Sequence, residues 1–227
     1  LKSLHDDALL PYLDEELSKS DENLFIVLHT YGSHFNYYER YPKDFSIFIP
    51  DKADGIRASL KKELRNAYDN TIRYTDYVLS EIIKRLDQSN TCAALAYLSD
   101  HGEDIFDDQR NRYLHASPIP TYYQLHIPYI YWFSEEYKTC FPDKYEQMQK
   151  HADLPVSTNS LFHTMLDIAS VKTDISDMSY ALSSESFEVR DRMYLGDHDN
   201  PVPFWKIGLK KQDFIMLDKW NIKYEKE

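Results

Sequence analysis

The apolar positions of this chain change period along its length, and the periods sketch its elements. In HDDALLPYLDEEL, Leu9, Leu10, Leu13 and Leu17 recur at helical spacing behind a pair of acids, which predicts an amphipathic helix. LFIVLHT, Leu24 to Thr30, is instead a short unbroken apolar run rich in branched side chains. Such a run suits a central strand covered on both faces. GSHFNYYERYPKDF then reads as a polar-aromatic loop, and IFIPDKADGI as an insertion or long loop. The helical period returns in NAYDNTIRYTDYVLSEIIKRL. There Tyr68, Ile72, Thr75, Leu79, Ile82 and Leu86 form one stripe, with no Gly or Pro to interrupt it.

Cys92 to Leu98 is a second buried strand by the same test. Strand, helix, strand implies a parallel pair joined by a right-handed crossover. IPYIYWF, Ile127 to Phe133, predicts a third strand. Asn159 to Ala169 predicts a helix capped by Ser157 or Thr158. Arg192 to Gly196, and the tail from Phe204 to Tyr224, read as short strands and turns near a sheet edge. The expected architecture is α/β: a three-layer sandwich with a mostly parallel central sheet and helices on both faces. A single domain over 1–227 is expected, since no repeat, low-complexity tract or linker breaks the chain.

Composition narrows the function classes. The chain has 227 residues, 42% hydrophobic and 15% aromatic, which is a globular composition. Its net charge of −12 argues against a nucleic-acid partner, because phosphate backbones need clustered Lys and Arg. Phosphorylated small substrates stay open, since a bound cation reverses the local field. The only cysteines are Cys92 and Cys140, so a disulfide-stapled miniprotein is excluded. One bridge stays open, but Cys92 at a strand start reads more simply as a buried thiol. No run approaches the roughly 20 apolar residues of a membrane helix. No signal peptide is visible, and the opening LKSLHDD reads as that of a fragment or a processed form.

The candidate chemistry sits where two apolar runs end. In open α/β sheets, ligands bind outside the carboxyl ends of the strands. The first run ends at His29 and leads to Gly32-Ser33-His34; the second ends at Ser99-Asp100-His101-Gly102. Were the strands parallel, both would emerge on one edge, with His115 of RYLHASP on the loop leaving it. Imidazoles and a carboxylate suit zinc or a similar divalent ion, and Gly102 frees the chain to turn there. Such an ion would polarise a phosphoryl or sulfuryl oxygen. Other residues take plainer readings. His5, His126, His151, His163 and His198 are surface or satisfied core histidines. Glu103 supports the turn or the metal ligands. Asp104, Asp107 and Asp108 are a solvated acidic face. Tyr37, Tyr38 and Tyr41 either line a lipid or sugar surface or pack within their loop. No GxSxG or P-loop pattern occurs.

Three segments carry a resemblance. HTYGSHFNYYERYP, YDNTIRYTDYVLSEIIKRL and AYLSDHGEDIFDDQRNRYLHASP are similar, in order, to motifs of bacterial phosphoethanolamine transferases of the alkaline phosphatase and sulfatase superfamily. HIPYIYWFSEEY and HDDALLPYLDEEL fit the flanking elements, so the likeness runs from about Leu4 to Tyr137. The resemblance implies an alkaline phosphatase-like fold and one or two zinc ions. It implies Asp100 and His101 as zinc ligands, with His34 and His115 contacting the phosphoryl group or a second zinc. His29 would support them. It also implies the reaction: a threonine takes phosphoethanolamine from phosphatidylethanolamine and passes it to lipid A or another lipopolysaccharide acceptor. That threonine falls in a segment with no counterpart in this chain, and Thr30 is no substitute, being part of the HTxGSH pattern itself. A membrane anchor outside this chain and a periplasmic catalytic domain at the bacterial inner membrane are likewise implied. A sulfatase, phosphoglycerol transferase or phosphodiesterase of the same superfamily is the alternative within the fold. A non-catalytic scaffold domain is the alternative outside it.

Overall fold

A computed structural model describes residues 4–19, 23–115, 119–196 and 200–224. In chain order the elements are α1 (Leu10–Lys19), α2 (Lys61–Gln88), β1 (Ala94–Leu98), β2 (Asp104–Ile105) and β3 (Tyr113–Leu114). They continue with α3 (Tyr122–Leu125), β4 (Tyr129–Phe133), α4 (Glu135–Cys140), α5 (Pro142–Lys150), α6 (Ser160–Ile168), β5 (Met193–Tyr194), β6 (Val202–Pro203) and α7 (Lys211–Lys219). They fall into two compact units, one of Leu1–Thr91 with Ile105–Leu114, the other of Cys92–Asp104 with His115–Glu227.

The first unit is organised on α2. Its buried line is Leu64, Ala67, Thr71, Tyr74, Val78 and Ile82. This is the predicted stripe displaced by about one residue: Ile72 is exposed and Tyr68 half-buried. The displacement comes from polar residues that the apolar pattern ignores. Asn70, fully buried, accepts from the Ile47 and Phe48 amides and donates to the Phe48 carbonyl, the Tyr41 hydroxyl and the Asp51 carboxylate. Those bonds repay its desolvation and tie the loop at 47–51 to the helix. Tyr37, Leu64, Ala67, Ile105 and Phe106 make the core beside it. Arg65 clasps the hairpin through the Ile105 and Phe106 carbonyls and the Asp107 carboxylate. Tyr37 and Tyr41 are buried, so two of the three loop tyrosines pack and only Tyr38 is exposed.

The run Leu24–Thr30 departs from expectation. Residues 23–30 belong to no helix or strand, and Phe25 and Val27 are 75% and 74% exposed. A central strand needs a ladder on each edge, and this run has none among the described residues.

The second unit holds the ladder between β1 and β4. It is antiparallel, with Ala94 opposite Phe133 and Leu98 opposite Tyr129. The expected parallel partnership of Cys92–Leu98 with Leu24–Thr30 is thus replaced by pairing with the third predicted strand. The described sheets are two-stranded; periodicity identified β1 and β4 as strands but carried no information on which strand each would meet. Ser134 ends β4 and caps α4, its hydroxyl accepting from the Tyr137 amide. Phe133, Tyr137, Met148, Ile168 and Leu182 form one core. Tyr122, Phe204, Leu209 and Leu217 form another. The tail read as strands and turns contains α7 instead. Buried Asp213 explains why: it accepts from the Lys210 amide, closing the first helical turn, and from the Tyr122 amide. Helix α6 starts after Asn159, which makes no side-chain cap, in place of Ser157 or Thr158.

Candidate metal centre

The strand β1 delivers Asp100, His101 and Glu103 as its chain turns out of the ladder. The turn is fixed by short-range bonds. The Ser99 hydroxyl donates to the His101 carbonyl at 2.7 Å, and the His101 amide to the Asp100 carboxylate at 3.0 Å. The Gly102 amide donates to the Gln124 carbonyl at 2.9 Å. Gly102 is required here for a different reason from the one expected. Its backbone is not in the left-handed region. A Cβ at this position would lie 2.0 Å from the Tyr123 carbonyl oxygen, so only glycine lets the two segments approach.

Two imidazoles meet beyond that turn. The rings of His101 and His115 lie 3.7 Å apart, tilted by 33°. His101 Nδ1 is 3.0 Å from the Gly102 carbonyl, which makes that nitrogen the donor and leaves the Nε2 lone pair to a ligand. His115 Nδ1 is 2.6 Å from Glu103 Oε1, a charge-assisted contact that fixes its ring in the same way. Potential ligand atoms of His101, Glu103 and His115 all lie within 4.8 Å of one another. Two imidazole nitrogens and one carboxylate are a donor set that suits zinc. Glu103 makes the supporting contact expected of it, to His115, and its carboxylate also stands among the candidate ligand atoms. Its position two residues after His101 was the available signal.

The other expected residues are placed as follows. Asp100 stands next to the cluster, 3.7 Å from His101 Nε2, with its side chain 86% exposed. His34 and His29 belong to the first unit, and both are exposed. The turn before His34 is built by Asp6, whose carboxylate accepts from the Tyr31 and Gly32 amides. Gly32 takes a φ of +53° there. The acidic loop is not a solvated face. Asp104 is buried and accepts from Thr121 and Gln124; Asp107 binds Arg65 and Asp108 binds Arg110. Among the plainer histidines, His126 contacts the Tyr122 hydroxyl at 2.6 Å. Burial, and then the charge of Arg192, hold His126 below the usual imidazole range. His151 meets the Leu182 carbonyl and His163 accepts from the Asp177 amide. His198 lies outside the described residues.

At the end of β1 the chain thus sets an acid, paired imidazoles and a second carboxylate around a turn that a glycine alone permits. The chain belongs to the sulfatase family, whose profile matches residues 2–171. Among curated relatives, the phosphoethanolamine transferase EptA of Salmonella typhimurium is 36% identical over 176 residues, covering 74% of this chain and 32% of the relative. The Kdo(2)-lipid A phosphoethanolamine 7''-transferase of Escherichia coli is 31% identical over 160 residues, covering 68% of this chain and 28% of the relative. Among solved structures, the C-terminal periplasmic domain of Escherichia coli EptC in complex with Zn aligns with a TM-score of 0.79 and 26% identity, over 94% of this chain and 59% of that one. The chain thus spans about a third of the length of the curated relatives it matches. Among the described residues, no helix is long and apolar enough to cross a membrane.

Proposed function

We propose that this chain carries part of the catalytic centre of a zinc-dependent phosphoethanolamine transferase. The donor would be phosphatidylethanolamine and the acceptor lipid A or another part of lipopolysaccharide. The place of action would be the periplasmic side of a bacterial inner membrane. The observation that carries this reading is the pair His101 and His115, each with its Nδ1 against an oxygen and each offering a candidate ligand atom within 4.8 Å of Glu103's. Asp100 and His101 are assigned to zinc. Glu103 joins them through its place in the cluster. His115 and His34 are assigned to the phosphoryl group or a second zinc. Zinc, when bound, supplies Lewis acidity toward a phosphoryl oxygen. The residues of this chain orient the imidazoles and hold their tautomers. The nucleophile is assigned to no residue of this chain. The names of the relatives support the transferred group, and the zinc complex of a neighbour supports the metal.

Titration of the metal-free chain with zinc tests the site. Removal of a metal-orienting partner costs about 10–100-fold in affinity, and loss of a ligand at least that. His101→Ala is therefore expected to weaken zinc by 100-fold or more, and Glu103→Ala and Asp100→Ala by at least about 10-fold. Unchanged zinc affinity in all three variants rejects the centre. Mass spectrometry of lipopolysaccharide from cells with and without the intact gene tests the reaction. A difference of one phosphoethanolamine is expected, and no difference in any lipid species rejects the transfer.

A further inference from the structure

Two surfaces carry side chains that ordinarily go inside. Cys92 is exposed, not the buried thiol that its place before a strand suggested. The larger case is the loop that precedes α2 in the first unit. There Ile47, Phe48 and Ile49 are exposed in succession, Ile49 by 68%. Exposed apolar side chains are ordinarily scattered singly, and this loop groups three. The loop is held with its polar groups inward. Asp51 is buried and accepts from the Tyr41 hydroxyl at 2.8 Å, from the Ser46 hydroxyl and from the Asn70 side-chain amide. The backbone amides of Ile47 and Phe48 donate to Asn70 as well. Bonds on the polar side thus fix the backbone and leave the apolar side chains at the surface. Cations border them. Asn66 donates to the Pro50 carbonyl at 2.8 Å, and Asn66 also lines an open groove with Lys61, Lys62, Arg65 and Asp69. Arg57 and Arg65 are paired with Asp54 and Asp107. Among the described residues, no ion pair engages Lys52, Lys61 or Lys62. A cation at the start of a helix opposes its dipole, so the stability of α2 does not account for Lys61 and Lys62. Residues 47–65 hold five cations and three acids, one of them the buried Asp51, in a chain of net charge −12. An anionic surface is therefore attracted here and repelled by the chain as a whole.

We propose that this loop and the groove beside it form a docking surface for an anionic phospholipid bilayer. Ile47, Phe48 and Ile49 enter the boundary between headgroups and acyl chains, while Lys52, Lys61 and Lys62 meet the headgroup phosphates. Apolar side chains beside basic ones let a protein lie on a membrane without spanning it, and the two contributions add. Lysine suits the role, because its long stem carries the ammonium back to the headgroups while apolar neighbours go deeper. The preset backbone helps too, since the loop loses little freedom on insertion. Neither contribution draws on the candidate metal centre, which is built from residues of the other unit.

The test is flotation of the full 227-residue chain, without added zinc, with vesicles of phosphatidylcholine alone or mixed with phosphatidylglycerol. Binding to the mixed vesicles is expected, weakening as salt is added, with far less on phosphatidylcholine alone. Lys61→Gln with Lys62→Gln is expected to weaken binding by about 25-fold, at roughly fivefold for each lysine. Phe48→Ser with Ile49→Ser is expected to weaken it by at least about tenfold. Both variants should keep the melting temperature, since none of the four side chains is buried. No flotation with the mixed vesicles, equal binding to both kinds, or full binding by either variant would overturn the proposal. So would loss of binding in Phe25→Ser with Val27→Ser, which would move the contact to the run at 23–30. A fall in scattered mass without vesicles, on replacing Phe48 and Ile49, would make a second copy the occupant and overturn it as well. None of these readouts depends on zinc or on transfer, so the two proposals fail separately.

Discussion

At Gly102 the turn that carries the imidazoles runs against the backbone of Tyr123 so closely that one methyl group has no space. Gly102→Ala should force the two segments apart, break the bond to the Gln124 carbonyl and cost about 3 kcal/mol, read by urea unfolding. The DHG tripeptide made a turn legible in the sequence, but not its cause, because a close approach involves a residue more than twenty positions away. His101 and His115 were legible for a similar reason to Gly102: each sits where an apolar run or a motif stops. Glu103 was harder, since a carboxylate after a histidine is equally at home in a solvated loop. The acids Asp104, Asp107 and Asp108 show the opposite error. They looked solvated because charge in a loop usually is, yet Thr121, Gln124, Arg65 and Arg110 engage them. Thr121, Gln124 and Arg65 lie too far along the chain to leave a local pattern, whereas Arg110, two residues after Asp108, was the one local signal.

Elements were legible in proportion to how much of their stability is local. The long helix α2 was evident from its period, while the buried line was set by Asn70 and Thr71, whose value depends on a loop the helix cannot predict. Strands β1 and β4 were found, but the antiparallel pairing was not, because an apolar run does not name its neighbour. The tail helix α7 was missed because Asp213 at its start is buried and polar, contrary to the usual meaning of an aspartate. The run at 23–30 makes its own prediction. Exposed apolar side chains on backbone that has no ladder partner invite pairing with another chain. In this chain, Phe25→Lys with Val27→Lys should leave the melting temperature nearly unchanged, since both sites are exposed. It should also reduce self-association measured by light scattering at high concentration. A large loss of stability would instead mean that the run is packed.

At the scale of the molecule, the chain crosses between its two units at 91/92, 104/105 and 114/115. The first unit's core therefore includes Ile105 and Phe106, which follow its own helix α2 only after β1 has been laid down in the other unit. Expression of residues 1–91 alone should give a chain without cooperative melting, because Leu64, Ala67 and Tyr37 lose two of their buried neighbours and Arg65 loses its carbonyls. Residues 1–115 restore that core, and a sharper melt by circular dichroism is the expected contrast. Equal behaviour of the two truncations would show that the hairpin contributes nothing to it. For anyone cutting, fusing or swapping parts of this protein, the interleaving has a practical meaning. There is no seam: every single cut that frees one half also takes away a piece of the other's interior. The segment that would have to travel, Ile105–Leu114, is flanked by Glu103 and His115, so a graft that misplaces it also misplaces the candidate ligands.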